Sequence, residues 1–393
     1  MPRADLHMPE LPQPAHDALH ASQALCERIA MEIATQGGWI SFARYMELAL
    51  HAPGLGYYAG GSTKLGAGGD FVTAPELGSL FARTLARQVA QLLPEGGDVL
   101  EFGAGSGALA ETLAAELAAL GHPPANYLIL EPSAELAARQ RARLAAGRPQ
   151  AGFRFQWLSR LPAGFRGVML ANEVVDAMPC HALAWTPRGI LERGVIIDCN
   201  SLAWSDRTAS GEVLHAASEL PIDLPPCGRF ESELNLAARA WMRALGGALG
   251  EGAILIVDYG FSSREYYHAQ RSSGTLMCHY RHRAHGDPFF LPGLQDITAH
   301  VDFSALADAA AQSGLDVLGY ASQAQFLINC GITELLAQSD PSNAPAYAPR
   351  AAEAHKLLSP AEMGELFKVL ALGRRRAPEG ALGFARGDRA RTL

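Results

Sequence analysis

The stretch VLEFGAGSGALAETLAAEL, Val99 to Leu117, constrains the fold more than any other part of the chain. A short apolar run reaches three alternating glycines, Gly103, Gly105 and Gly107, and then passes into an alanine-rich helical pattern. Glycine lets a backbone turn sharply, keeps side chains out of the approach path and bares amides at a helix N-terminus. A ligand is expected to lie across such a loop. The same grammar continues downstream. NYLILEPS and SAELAARQRARLAA predict a second strand and helix, FRFQWL and GVMLANE a third and a fourth strand, and GAILIVDYG a fifth. Short apolar strands alternating with helices imply an α/β, Rossmann-like fold whose parallel sheet is covered on both faces.

Around that core the rhythm differs. Residues 1–20 read as a proline-dotted lead-in, Ala21–Thr35 as a helix, and ISFARYMELALH as another with Ser41 as its N-cap. A glycine-rich stretch then leads to a helix that Pro75 opens. HALAWTPRGILERGVIIDCNSLAWSDR predicts a β-meander inserted after the fourth strand, and ESELNLAARAWMRALGGAL predicts a helix. Residues 261–300 are expected to be irregular. A helix and strand in SALADAAAQSGLDVLGYAS follow, then roughly 50 mostly helical residues by periodicity. GALGFARGD predicts a last strand. The resulting division is an N-terminal helical and lid region over 1–92 and a core over 93–393, with insertions at about 181–250, 261–300 and 323–375.

Hydrophobic residues at 49% and charged residues at 18% describe a globular chain able to bury a sizeable core. A net charge of −8 argues against non-specific attraction to nucleic acid or acidic membrane surfaces, so neither is expected as a partner. The cluster Arg374, Arg375 and Arg376 reads as a solvated helix end. Six scattered cysteines without a CxxC pair suggest free thiols, and the histidine spacing in CHYRHRAH fits no standard zinc site, so no metal is assigned. The N-terminus lacks an apolar signal core and carries acids that a transit peptide avoids, which predicts a cytoplasmic protein.

The pattern G-x-G-x-x-A is satisfied by Gly103, Gly105 and Ala108, so a nicotinamide-dependent oxidoreductase stands as an alternative. Two acids tilt the balance. Glu101, inside the strand, would repel a pyrophosphate but suits the cationic sulphonium and amino group of S-adenosylmethionine. Glu131, at the end of the second strand, can accept both ribose hydroxyls, or it can simply complement a helix dipole.

Six ordered motifs sharpen this: GDFVTAPELGSLF, EFGAGSGALA, EPSAELAARQ, ANEVVDAMP, VDYGF and GLQDITAHVDF. Together they resemble the MidA-type family of class I methyltransferases, whose mitochondrial member is a protein-arginine methyltransferase needed for respiratory complex I assembly. The resemblance covers about residues 38–335. It implies a class I methyltransferase sheet, S-adenosylmethionine as cofactor, and an arginine side chain of a protein, such as a complex I subunit, as acceptor. A homodimer is a further expectation, and a non-catalytic assembly factor is a third reading.

Methyl transfer is an in-line displacement on an already activated donor, so the residues chiefly supply alignment. A guanidinium is a poor nucleophile and needs acids to grip it and polarise one nitrogen. Glu173, Asp176 and Asp258 are the candidate catalytic acids at the carboxyl edge of the sheet. Asp70, Thr73, Glu101, Gly103, Gly105, Gly107, Glu131, Ser133 and Asn172 are expected to bind the donor. Glu76, His300 and Asp302 are placed at the acceptor, although a lone histidine is commonly just satisfied by hydrogen bonds.

Overall fold

The protein is described by a computed structural model over residues 11–60, 73–146, 154–374 and 380–393. Its described residues divide into two compact units: those within 1–72, 176–238 and 263–300 form the first, and those within 73–175, 239–262 and 301–393 the second.

The second unit is built on an eight-stranded sheet. The strands run in the order Asp316–Ser322, Phe367–Gly373, Leu249–Phe261, Phe165–Asn172, Asp98–Phe102, Asn126–Leu130 and Arg154–Leu158, with Val301–Asp302 pairing alongside Leu249–Phe261. The five strands expected from the sequence are all present and mutually parallel. The inner strands carry largely apolar runs because both faces are buried, whereas the edge strand Arg154–Leu158 keeps Arg154 and Gln156 exposed. Val99, Tyr127, Ile129, Val168, Leu170, Leu255 and Val257 share one core with the helices Leu80–Leu92 and Ala108–Ala119. On the strand Asp98–Phe102, Phe102 meets Trp241 of the helix Leu236–Ala248 edge-on at 5.3 Å.

Three expectations at the C-terminal end change. The strand Phe367–Gly373 falls in a region expected to be helical, and it is antiparallel to both its neighbours, so the sheet is mixed. All seven of its residues are buried, and periodicity does not distinguish a short, fully buried strand from a buried helical turn. GALGFARGD is not a strand but a turn of 3₁₀-helix at Leu382–Phe384. Arg374 ends the Phe367–Gly373 strand rather than a helix, and donates to the Gly246 carbonyl; Arg375 and Arg376 lie outside the described residues.

Pro75 does open a short helix, Ala74–Leu77, but Gly78 and Ser79 interrupt it before Leu80–Leu92 begins. The first turn of that second helix is capped from far along the chain. Glu353, on the helix Ala344–Leu358, accepts from the amides of Leu80 at 2.7 Å and Phe81 at 3.4 Å. Leu80, Phe81, Leu85 and Val89 thus pack with the sheet, so residues 73–92 belong with the core rather than with the N-terminal region.

The first unit gathers the N-terminal helices and two insertions. His16–Thr35 and Phe42–His51 are the N-terminal helices, the first starting earlier than expected, and Ser41 caps the second by accepting from Arg44 N at 3.2 Å. The meander is present as His181–Thr186, Gly189–Asp198 and Ser201–Thr208. Ile40–Ser41 and Phe230–Leu234 extend this sheet, so the start of ESELNLAARAWMRALGGAL is strand, not helix. Residues 261–300, expected to be irregular, hold a three-stranded antiparallel sheet of Met277–Tyr280, Arg283–His285 and Asp296–Thr298. Leu25, Ile29, Phe42, Tyr45, Met46, Cys180, Val195 and Ile297 are among the residues of this unit's core.

Candidate active site

Within the second unit the chain runs from Asp98–Phe102 to two strands on one side, then crosses to Phe165–Asn172 on the other. Ligands of open α/β sheets bind outside the carboxyl ends of the strands at such a reversal. Here those ends carry the glycine loop and the pair Asn172–Glu173.

The loop is held in backbone conformations that side chains resist: φ is 58° at Gly103, 54° at Gly105 and 84° at Gly107. Gly103 N donates to the Leu130 carbonyl at 3.1 Å, which ties the loop to the end of the second strand. The helix Ala108–Ala119 then starts beside the loop, with Ala108 N donating to Ser106 Oγ at 3.3 Å. Ser106 Oγ donates to Glu76 and accepts from Arg143 Nη1 at 3.0 Å. Glu76, expected at the acceptor, is therefore seated on the glycine loop.

Glu131 follows the second strand. Its Oε1 accepts from Ser133 N at 2.9 Å and its Oε2 from Gln140 Nε2 at 3.1 Å. Burial raises its pKa, and these two donors pull against that rise. A carboxylate offers about four lone-pair sites, so two donors leave room for a vicinal diol. Ser133 also accepts from Leu136 N at 3.3 Å, capping the helix Ala134–Ala146.

Glu101 lies deeper. It is 3% exposed, and Tyr127 Oη donates to it at 2.6 Å. Burial pushes its carboxyl up to about 7, against that hydrogen bond, and Glu131 adds like-charge repulsion.

At the end of the fourth strand the backbone of Glu173 is left-handed, with φ 52°, an uncommon conformation for a long side chain. Its amide donates to the Val257 carbonyl at 2.9 Å, and Asn172 Nδ2 donates to its Oε1 at 3.1 Å. Asn172 Oδ1 is buried and has no hydrogen-bond partner among the described residues. Asp258 is fully buried and accepts from the amides of Val175 and Tyr259, each at 2.9 Å. An acid expected to be catalytic is thus a clasp on the turn that carries Glu173.

The other expected residues are distributed as follows. Thr73 precedes the helix Ala74–Leu77 at its N-cap position, with no side-chain cap bond. Asp302 caps the helix Phe303–Gln312 through Ala305 N at 3.2 Å. Asp176 and His300 belong to the first unit, and Asp70 lies outside the described residues. Asp176 neighbours Tyr58, whose hydroxyl donates to both oxygens of the buried Asp296 at 2.9 and 3.0 Å. Burial, then Asp296 and Asp176, push that hydroxyl's pKa well up.

Gln140, which meets Glu131, and the hydrogen-bonded pair Tyr58 and Asp296 are not singled out by the sequence. Gln140 carries no signal in a helix of mixed polarity, and Asp296 sits in a quoted motif whose later acids drew the attention.

The glycine loop, the half-satisfied Glu131 and the unpartnered Asn172 oxygen together fit an adenosyl ligand with a ribose diol and an amino-acid end. The comparisons agree with that fit. The family model described as "Putative S-adenosyl-L-methionine-dependent methyltransferase" matches residues 80–321. Protein arginine methyltransferase NDUFAF7, mitochondrial, from Homo sapiens is 30% identical, covering 85% of this chain and 80% of the relative. The Danio rerio protein of the same name is 29% identical over 89% of this chain and 87% of its own. A Burkholderia thailandensis protein crystallised with S-adenosyl-homocysteine is 51% identical, with a TM-score of 0.92 over 98% of this chain and 100% of that one.

These relatives favour neither the oxidoreductase nor the non-catalytic reading. They do overturn the cytoplasmic expectation, since the curated relatives are named mitochondrial; the acidity of a leading segment is not a property of the fold and does not mark a compartment. Among the described residues no helix is long and apolar enough to cross a membrane. With its family model matched over most of the chain and its motifs in order, the chain belongs to the MidA-type family of class I S-adenosylmethionine-dependent methyltransferases.

Proposed function

We propose that the enzyme methylates a guanidinium nitrogen of an arginine in a protein, with a respiratory complex I subunit as the acceptor the family resemblance suggests. The observation that carries this reading is the Asn172–Glu173 turn. A glutamate is held in a left-handed backbone at the carboxyl end of the switch-point strand, with its amide and the following loop fastened to the neighbouring strand. Such a strained, over-determined acid is expected where its orientation matters more than its comfort. The names of the curated relatives support an arginine acceptor.

When bound, S-adenosylmethionine supplies a methyl group on a cationic sulphur that leaves as a thioether. Glu131 accepts the ribose hydroxyls, and the glycine loop leaves the adenosyl group a path free of side chains. Asn172 Oδ1 offers an acceptor to the amino-acid end. Glu173 grips the guanidinium through charge-assisted hydrogen bonds and turns one nitrogen toward the methyl group. It also takes up that nitrogen's proton as the N–C bond forms and passes it on to solvent, which counts because a guanidinium stays protonated at any pH below about 12. Asp258 is a positioning residue for this turn, with Glu76 and Ser106 performing the same service for the glycine loop.

Mass spectrometry of methylarginine in cells carrying the wild-type chain, no chain, or Glu173→Gln tests the proposal. Specific methylarginine sites should vanish on deletion and stay absent with Glu173→Gln. Loss of none on deletion would remove the arginine acceptor, and full restoration by Glu173→Gln would remove the role of Glu173.

A further inference from the structure

Gln140 lies on the buried stripe of the helix Ala134–Ala146, between Ala137 and Leu144, and is itself fully buried. A glutamine is an expensive choice for an apolar stripe unless its amide is satisfied. Here both ends of the amide are satisfied. Its Oε1 accepts from Trp157 Nε1 at 2.9 Å, and its Nε2 donates to the Gly105 carbonyl at 3.0 Å and to Glu131 Oε2 at 3.1 Å.

The orientation of this amide is not arbitrary. An indole nitrogen only donates, so Oε1 must face Trp157, and Nε2 must then face the two oxygens of Gly105 and Glu131. One side chain therefore fixes the distance between the glycine loop and the carboxylate at the end of the next strand. Trp157, on the strand Arg154–Leu158, sets which way that side chain points.

We propose that Gln140 is a positioning residue for donor recognition: it holds Glu131 at a fixed register to the glycine loop, with its remaining lone pairs directed to the ribose hydroxyls. This rests on the reading of Glu131 as the ribose acceptor. The contact also favours the ionised, better-accepting form of Glu131 against the burial that disfavours it.

Calorimetric titration with S-adenosyl-homocysteine and with its 2′,3′-dideoxyribose analogue tests this. Gln140→Met keeps the volume and removes the amide. It should weaken S-adenosyl-homocysteine roughly tenfold, as expected for a lost hydrogen bond to a charged group, and leave the dideoxy analogue within about twofold of wild type. Equal losses for both ligands would show that Gln140 only braces the loop, and no loss for either would show that it does neither; both outcomes overturn the proposal.

Gln140→Glu gives an independent reading should the methionine variant fail to fold. Its second oxygen would face Glu131, so its loss of affinity should be larger at pH 8 than at pH 6, and a pH-independent loss would contradict the proposal. Glu131→Ala separates the two levels. If Glu131→Ala binds S-adenosyl-homocysteine like wild type, the ribose assignment itself fails. If it binds poorly while Gln140→Met loses both ligands equally, only the role of Gln140 fails.

Discussion

Glu101 shows how much a single carboxyl can change meaning on burial. The sequence places an acid next to the glycines, and the structure adds that it is buried against Tyr127, with a carboxyl raised to about 7. Because the folded-state pKa lies above the ordinary value of 4.5, the folded protein keeps a proton that the unfolded chain has lost between pH 4.5 and about 7. In the absence of ligand, stability should therefore fall as pH rises through that window. A cationic donor arriving nearby favours the carboxylate, so binding of S-adenosylmethionine at pH 7 should release about half a proton. Calorimetry in two buffers of different ionisation enthalpy would detect it, and Glu101→Gln should abolish it. Identical enthalpies for wild type in both buffers would show that Glu101 does not feel the donor's charge. At this scale the sequence is legible where chemistry is tied to local spacing, as at Gly103, Gly105 and Glu131. It is not legible for Gln140, whose three partners meet only after folding, nor for Asp258 and Asp302. Those two acids look like site acids in a string of letters but bind backbone amides in the structure.

At the scale of elements, the C-terminal region serves the core in two ways that its composition does not announce. The strand Phe367–Gly373 occupies an inner position of the sheet. Its seven residues are too few to display a period, and a helical reading of the surroundings hid it. The helix Ala344–Leu358 places Glu353 across the first turn of Leu80–Leu92, where it satisfies amides that no intrahelical carbonyl can reach. Glu353→Ala should cost about 1–3 kcal/mol in urea unfolding, the range for losing a helix cap while leaving buried donors unpaired. Glu353→Gln, which keeps an acceptor oxygen, should cost less. A fully stable alanine variant would mean that water replaces the carboxylate without loss. By contrast the strand–loop–helix rhythm from Asp98 to Asn172 is legible in the chain, because strands such as Asn126–Leu130 and Phe165–Asn172 carry apolar runs bounded by turn residues.

For the whole molecule, the chain is interrupted twice after the fourth and fifth strands, and those insertions join the N-terminal helices in a unit with its own core. The sequence revealed the insertions through the break in α/β alternation, but not their membership, since which segments share a core is settled by contacts far apart in the chain. The residues proposed to hold the donor, Glu101, Gly103, Gly105, Gly107, Glu131 and Asn172, together with Glu173, all lie in the sheet-bearing unit. The central claim is that one edge of that sheet divides the work, with Glu131 holding the donor and Glu173 the acceptor. Titration of S-adenosyl-homocysteine into wild type, Glu131→Ala and Glu173→Gln tests it most directly. Binding should be strongly weakened in Glu131→Ala and unchanged in Glu173→Gln; donor affinity lost with Glu173 and kept without Glu131 would contradict the account.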